Sequence, residues 1–418
     1  MTQLADDCFA FGGKLMSAGE ALGLLDRRIG TVAEAETVAL DEAHGRILAA
    51  DLIAAQPVPP HENVAVDGYA FAFASLAPSG DSRLKIEGRA AAGKPVSGAC
   101  GPGTAVRVFT GAVMPAGADT VVMQEDVIVE GDFVQVPHGL KRGANRRKVG
   151  EDVPSGGVAA PKGTRLRAQE IGLAAALGQT ALQVHRRLRV ALFSTGDELR
   201  EPGEALPPGA IPDSNRAMLR ALLAELPVTV SDLGILRDRA SEVRDALSAA
   251  AATHDLLLTS AGVSTGEEDH VRAAVEALGQ LHFWRLAIKP GRPLALGQIG
   301  RTPFVGLPGN PVASMVCFLR FCRPILLRMA GAQRIEPVLY AVRADFDHRK
   351  RLDRREWLRA RLERRDDGAL WAKPFPRQGS GILSSLVQSD GLVELGEEVT
   401  EVKPGSIVAF LPYTEVGV

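Results

Sequence analysis

The chain has 418 residues, 46% of them hydrophobic, and 48 basic against 50 acidic side chains for a net charge of −2. That length calls for roughly three domains, and the near balance of charge argues against a general affinity for nucleic acid or anionic membranes. No apolar run approaches the roughly 20 residues of a membrane span, and the acidic start MTQLADD does not resemble a secretory signal.

Taken in order, Ser17 and Glu20 form a capping box that predicts a helix over ALGLLDRRI. Short strand and turn structure follows, up to the cluster Pro57, Pro59 and Pro60. From 61 to 143 the sequence is a series of short β-branched runs divided by Gly, Pro and Asp, expected to form a small barrel or sandwich. Residues 143–163 are polar and glycine-rich, and the helix RAQEIGLAAALG should stop at Gly178. From Arg187 apolar strands alternate with helices, which predicts a mostly parallel sheet covered on both faces. Its last helix begins near Pro311 and should bend at Pro324. From Arg334 strand signals return, with a hairpin turn at Asp367-Gly368. The basic run within HRKRLDRREWLRARLERR reads as a solvated edge strand. Cys8, Cys100, Cys317 and Cys322 are scattered, as expected of reduced thiols in a cytoplasmic protein.

Four turns could carry chemistry, and each follows an apolar strand. Ser194-Thr195-Gly196-Asp197-Glu198 offers hydroxyls and freed N–H groups for an anion, followed by two carboxylates that could otherwise cap a helix. Gly262 to Asp269 repeats the design, with Ser264 and three consecutive acids. Two carboxylates about 5 Å apart at an effective dielectric near 20 repel by roughly 3 kcal/mol. A hard cation such as Mg²⁺ would remove that cost and bridge to phosphate. Lys289-Pro290-Gly291-Arg292 puts two cations on a rigid turn, and Gly306-Leu307-Pro308-Gly309-Asn310-Pro311 leads a strand into a helix. Carboxyl ends of strands in an open α/β sheet are where ligands bind. Together the turns suggest a cation-assisted site for a phosphorylated ligand. Val66-Asp67-Gly68-Tyr69, Thr110-Gly111 and Gly150-Glu151-Asp152 read by composition as ordinary turns.

With these residues in view, the chain resembles the molybdopterin molybdenumtransferases, relatives of the gephyrin E domain. The carriers are VAVDGYA, TGAVMPAGADTVVMQED, NRRKVGED, LFSTGDEL, DSN at Asp213, TSAGVSTGEEDH, LAIKPGRP and GLPGNPVAS, in the family order along essentially the whole chain. The resemblance implies a multidomain α/β plus β fold with a doubly wound molybdopterin-binding domain, flanking β-rich domains and an elongated, discontinuous N-terminal domain. The expected divisions are 1–60 with 144–186 (domain I), 61–143 (II), 187–332 (III) and 333–418 (IV, barrel-like).

The implied reaction inserts molybdenum from molybdate into adenylylated molybdopterin, with Mg²⁺-dependent release of AMP. By motif position, Asp67, Thr110, Asp152, Glu198, Asp238 and Asp269 would be catalytic. Glu198, Asp238 and Asp269 would hold the metal. Arg147, Ser194, Thr195, Gly196, Gly262, Ser264, Arg285, Lys289, Pro308, Gly309, Pro311, Arg359 and Ser380 would contact substrate. A homodimer is implied, with the Asp67, Thr110 and Asp152 wall reaching the cleft across it. Implied partners are a molybdopterin adenylyltransferase as donor and molybdoenzyme maturation factors, with neither nucleic acid nor membrane. A non-enzymatic scaffold and a nucleotide-processing enzyme sharing only the α/β domain are the rival readings. The retained acids oppose the first, and the flanking motifs oppose the second. Val66 and Ala261 depart from the family's usual Met and Gly, and Ala261 is expected to tighten its turn.

Overall fold

The structure is a computed structural model that describes residues 15–237, 239–261, 270–291 and 293–417. Asp238, Gly262, Ser264, Asp269 and Arg292 therefore lie outside the described residues, as do Cys8 and the side chain of Arg285.

The first helix, Ala18–Arg28, starts at the predicted capping box: the Glu20 N–H donates to Ser17 Oγ at 3.1 Å, and the Ser17 N–H donates to Glu20 Oε2 at 2.8 Å. Its buried Ala21 and Leu25 join the largest core. The chain then forms strand Ala35–Ala39, which pairs antiparallel with Ala181–His185, some 145 residues on. Ile47–Leu48 pairs with the other edge of Ala181–His185, and Leu52–Ile53 pairs with Val158–Ala160. Helix Ala168–Ala176 packs beside them and ends at Gly178, whose φ of +75° suits glycine. Leu48, Leu52, Val153, Leu166, Leu177 and Leu182 share one core, so two distant stretches make one discontinuous unit.

Between them, six strands form a single mixed sheet whose two edges, Thr120–Met123 and Ile128–Glu130, do not pair. It is therefore neither a closed barrel nor a two-sheet sandwich. Alternate residues feed two cores, Ala70, Val106 and Val121 on one face and Tyr69, Phe71, Ala105 and Val122 on the other.

The α/β sheet has the strand order Val228–Leu236, Leu188–Thr195, Leu256–Ser260, Thr302–Leu307, Pro293–Ile299, Gly279–Arg285. The first four are mutually parallel, and Pro293–Ile299 runs against both its neighbours. The apolar runs are continuous because both faces are covered. Leu188, Val190 and Leu192 enter the largest core with helix Ser214–Ala224, whereas Ala191 and Phe193 enter a second core with helices Ala240–Thr253 and His270–Leu278. The helices that follow the first two strands of the sheet thus cover opposite faces. That makes the gap between Leu188–Thr195 and Leu256–Ser260 a topological switch point.

The last helix of this unit departs from expectation in a small way. It runs Pro311–Cys317, passes through a π turn at Phe318–Cys322, and resumes as Arg323–Met329. Pro324 has no N–H to donate one turn back, and the helix widens just before it. Cys317 and Cys322 are fully buried here, and burial pushes both thiols up.

Beyond it, strands Arg355–Arg364, Leu370–Pro374, Tyr340–Ala344, Ile407–Pro412 and Gly391–Leu395 pair in a ring that closes through Arg355–Arg364 and Gly391–Leu395. The hairpin turn falls at Asp367-Gly368 as predicted. The basic strand is not an edge: Arg355–Arg364 is paired on both sides, and its charges are neutralised within the barrel, as where Arg355 meets Glu394 and Glu397 at 2.8 Å each. Ile288–Lys289 adds alongside Arg355–Glu356, joining the α/β unit to the barrel. Among the described residues, no helix is long and apolar enough to cross a membrane.

Candidate active site

The switch point gathers polar groups where the sheet's strands end. Ser194, Thr195, Thr259 and Ser260 are buried, and Ser194 Oγ and Thr259 Oγ1 have no hydrogen-bond partner among the described residues. Buried hydroxyls are ordinarily satisfied; Ser194 shares the face of Leu192 and Thr259 that of Leu257, so the two orphans open to opposite faces of the sheet and only Ser194 is the last but one residue before the Gly196 turn.

The chain leaves Thr195 through Gly196, whose φ is +144°. A Cβ there would lie 2.5 Å from Glu198 Oε2, so Gly196 is the space into which the Glu198 carboxylate folds back. No helix follows for Asp197 or Glu198 to cap. Instead Leu199–Arg200 pairs with Ile211–Pro212 to make a projecting arm. Glu198 is exposed and has no ion-pair partner among the described residues, which leaves its carboxylate available to a cation.

The arm is fastened by Arg216. Its guanidinium binds Asp213 Oδ2 at 3.0 Å, Asp232 Oδ1 at 2.5 Å and the Glu201 carboxylate. Burial alone would pull its pKa down, but the three carboxylates more than reverse that and raise it above the usual arginine value. Asp213 also caps helix Ser214–Ala224 by accepting the Arg216 N–H at 3.1 Å. Two residues on from Asp213, Asn215 donates from Nδ2 to the Gly309 carbonyl at 2.7 Å, and its Oδ1 is buried without a partner among the described residues. Sequence reasoning recognised DSN as a motif but gave Asn215 and Arg216 no role. The only signal was the polar triplet at a helix start.

The turns after the next two strands touch each other. The Ala261 N–H donates to Leu307 O at 3.0 Å, and a Cβ on Gly309 would lie 3.2 Å from that of Ala261. Ala261 has φ +71°, the left-handed region, where the more usual glycine would be unstrained. Pro308 is buried beside it, and Pro311 occupies the first turn of its helix. The free Val312 N–H at that helix start is taken by Ser380 O at 3.0 Å, so Ser380 reaches this turn through its main chain.

Arg359 is 1% exposed and acts at one remove. It donates to Ser385 Oγ at 3.0 Å, to Gly379 O at 3.0 Å and to Arg377 O at 3.3 Å, and burial lowers its pKa. It grips the loop that carries Ser380. Lys289 is half-exposed and lies 3.5 Å from Glu356 Oε2. Glu356 is fully buried and also meets His348 Nε2 at 3.1 Å and Arg354. Burial would raise its pKa, but Arg354, His348 and Lys289 hold it below the ordinary carboxylate value.

A second cluster forms where residues 63–65, 110–112 and 144–147 join. Asp67 Oδ1 accepts both the Thr110 N–H and the Thr110 hydroxyl at 2.8 Å each, which with the nearby Arg107 holds its pKa below the ordinary value. Arg147 pairs by its main chain with Asn63, and its side chain is exposed. Asp152 donates its N–H to Val58 O at 3.0 Å and leaves its carboxylate in solvent. The structure thus brings together Asp67 with Thr110, and separately sets the Ser194–Thr195 strand end one strand away from the strand that leads into Pro308, with Leu256–Ser260 between them. No described hydrogen bond or ion pair joins the two clusters within the chain. No group of three metal-binding side chains occurs among the described residues; of Glu198, Asp238 and Asp269, only Glu198 is described.

Comparison with known proteins adds the relationship. Residues 16–178 match the MoeA N-terminal region (domain I and II), 191–328 a probable molybdopterin binding domain, and 341–413 the MoeA C-terminal region (domain IV). The molybdopterin molybdenumtransferase of Haemophilus influenzae is 36% identical over 92% of this chain and 95% of its own length. That of a Nostoc species is 34% identical over 90% and 88%. Among solved structures, a molybdopterin biosynthesis moeA protein from Pyrococcus horikoshii OT3 superposes with a TM-score of 0.81 at 31% identity, covering 96% of this chain and 100% of the other. Sequence identity, extent and shape agree: the chain belongs to the molybdopterin molybdenumtransferase family.

Proposed function

We propose that this chain inserts molybdenum from molybdate into adenylylated molybdopterin, with Mg²⁺-dependent release of AMP, giving molybdenum cofactor. The observation that carries the reading is the switch point itself. There the orphaned Ser194 hydroxyl lies at the end of the strand that leads through Gly196 to the unpaired Glu198 carboxylate. The names of the relatives support the reaction type.

On this reading the strand-end turns hold the phosphorylated pterin. Ser194, Thr195 and Gly196 offer hydroxyl and N–H donors, and by motif position Gly262 and Ser264 belong to the same substrate-binding set. Pro308, Gly309 and Pro311 shape the facing turn, and Asn215 holds that turn by its Gly309 bond. Molybdate is a dianion, so carboxylates alone would repel it. Lys289 and Arg285 supply the balancing charge, and Arg359 positions the Ser380 loop. Glu198 fits a metal site because its carboxylate is exposed and unneutralised; with Asp238 and Asp269 it would hold Mg²⁺, which would offset charge between acids and phosphate. Asp67, Thr110, Asp152 and Arg147 form the opposite wall, supplied across a homodimer. No side chain needs to act as a covalent nucleophile.

The same reading divides the chain into domains at 1–60 with 144–186, 61–143, 187–332 and 333–418. It places the protein in the cytoplasm, receiving substrate from a molybdopterin adenylyltransferase and passing product towards molybdoenzyme maturation.

The test is incubation with adenylylated molybdopterin, molybdate and Mg²⁺. AMP release and reconstitution of an apo-molybdoenzyme are expected, with Glu198→Gln slowing both by roughly a hundredfold, as for loss of one charged transition-state contact. Absence of AMP release from the wild-type chain would refute the reaction, and full activity of Glu198→Gln would refute the metal assignment alone.

A further inference from the structure

Away from the strand ends, a cavity of about 510 Å³ opens where three parts of the chain meet: residues 163–170, the helix Arg323–Met329 with residues 332–337, and Thr414 with Glu415. The junction is tight. The Gln333 N–H donates to Gly163 O at 3.1 Å, and a Cβ on Gly163 would strike Gln333 Cγ at 2.5 Å. No lining residue belongs to the candidate active site. One wall is apolar, with Leu327, Ala332 and Pro337, and the rest carries arginines.

Three of those arginines have no carboxylate partner among the described residues. Arg323 is 7% exposed. Its Nη1 donates to the Ile335 carbonyl at 3.1 Å, but its Nε is buried with no partner among the described residues. Arg165 is bonded to a main-chain carbonyl, that of Glu225. Arg334 is exposed and makes no described bond. Three acids also line the cavity, and each has another partner. Glu170 is held by Arg167 at 2.7 Å, Glu336 lies 3.7 Å from Arg320, and Glu415 accepts the Val338 N–H at 3.1 Å.

The guanidinium groups are only partly compensated. Burial, reinforced by repulsion from Arg165 and Arg320, pushes Arg323 down to about 10 despite some attraction from Glu336 and Glu415. Burial pulls Arg165 down as well, against attraction from Glu225. A buried cation with only distant acids to balance it is costly, and a bound anion offsets that cost directly.

We propose that this cavity is a second anion site that takes a small organic phosphate, with Arg165, Arg323 and Arg334 around the phosphate oxygens and Leu327, Ala332 and Pro337 against the organic part. Guanidinium groups from separate elements suit a phosphate with several equivalent oxygens. The volume suits a small organic ligand and exceeds what a bare ion needs. An occupant would tie the discontinuous N-terminal unit to the α/β unit and the barrel. The proposal does not depend on the reaction assigned above.

The test is calorimetric titration of the full chain with phenyl phosphate. The wild type is expected to bind, with affinity falling as salt rises. Arg334→Gln, a surface change that leaves folding intact, should weaken binding at least tenfold, as should Arg323→Gln where its melting curve shows a folded chain. Lys289→Gln, at the other site, should leave this binding in place. Absence of binding by the wild type, or wild-type affinity in Arg334→Gln, would overturn the proposal, as would loss of binding in Lys289→Gln alone.

Discussion

Replacing Arg216 with methionine should release the arm that begins at Glu198. The side chain is 9% exposed and bonds three carboxylates, of which Asp213 is buried, Asp232 is 24% exposed and Glu201 is 46% exposed. Removing the cation strands the acids beside one another. Breaking a buried pair in this way costs about 3–5 kcal/mol. Solvent screens Glu201 and partly Asp232, which puts the loss near the lower end, at about 3 kcal/mol.

That energy falls on a defined local structure. Leu199–Arg200 and Ile211–Pro212 are joined by two main-chain bonds, Ile211 N–H to Glu198 O at 2.8 Å and Asp213 N–H to Arg200 O at 2.9 Å. If Arg216 holds this arm closed, its loss raises the open fraction roughly a hundredfold, at 1.4 kcal/mol per tenfold. Hydrogen exchange followed by mass spectrometry over residues 199–213 reads that fraction. Protection of these amides should fall by about two orders of magnitude in Arg216→Met, while the barrel amides of 391–395 hold their wild-type rates. Arg216→Lys should be intermediate, since one ammonium cannot reach three carboxylates from one fork. Protection within threefold of wild type in Arg216→Met would show that strand pairing alone holds the arm.

Three smaller predictions test other parts of the structure. Asp255 accepts Arg186 Nη1 at 2.6 Å, Arg186 Nη2 at 2.9 Å and the Arg189 N–H at 2.7 Å. Burial raises its pKa, but these bonds outweigh burial and bring it to about 2. A depressed carboxylate contributes stability above its unfolded pKa and loses it as pH falls, here between about 4 and 2. The contribution is about 2 kcal/mol, and Asp255→Asn should remove that part of the acid dependence in denaturant midpoints; an unchanged slope would refute it. Ala261→Gly should relieve the left-handed alanine and raise the apparent melting temperature of the α/β unit by roughly 2–4 °C, for about 1 kcal/mol; a lowered value would mean that the Ala261 methyl contact with Gly309 matters more than the strain. Thr110→Val deletes one of the two donors that keep Asp67 ionised, so the acid limb of cofactor synthesis should move to higher pH; an unmoved limb would place Asp67 outside the titrating group.

The fold was legible wherever a local pattern fixes a local structure. The Ser17–Glu20 box, the stop at Gly178 and the Asp367-Gly368 turn each depend on a few adjacent residues, and each appears where the pattern put it. Sheet closure is different. The basic run around Arg355–Arg364 predicts a solvated edge, since charges deter edge pairing. The acids that neutralise them, Glu394 and Glu397, lie some 40 residues on, in and just beyond the strand that closes the barrel. No window around the basic run contains that information.

The same reasoning explains which site residues could be read unaided. Glu198 and the strand-end hydroxyls announce themselves because a carboxylate or a hydroxyl in a glycine turn is chemically conspicuous. Arg359 was reached only through resemblance, and its geometry shows why. A buried arginine usually advertises its partner as an acid elsewhere in the chain. The partners of Arg359 are the carbonyls of Arg377 and Gly379 and a serine hydroxyl, and carbonyls are the same at every position of every sequence. Its effect reaches the Pro311 turn through another carbonyl, that of Ser380, which accepts the Val312 N–H. A positioning chain built of main-chain acceptors has no side-chain signature. Asn215 is of the same kind, since its partner is the carbonyl of Gly309. Side-chain chemistry therefore points to the groups proposed to meet the ligand, whereas groups that hold a turn in place through the backbone become visible only once the chain is folded.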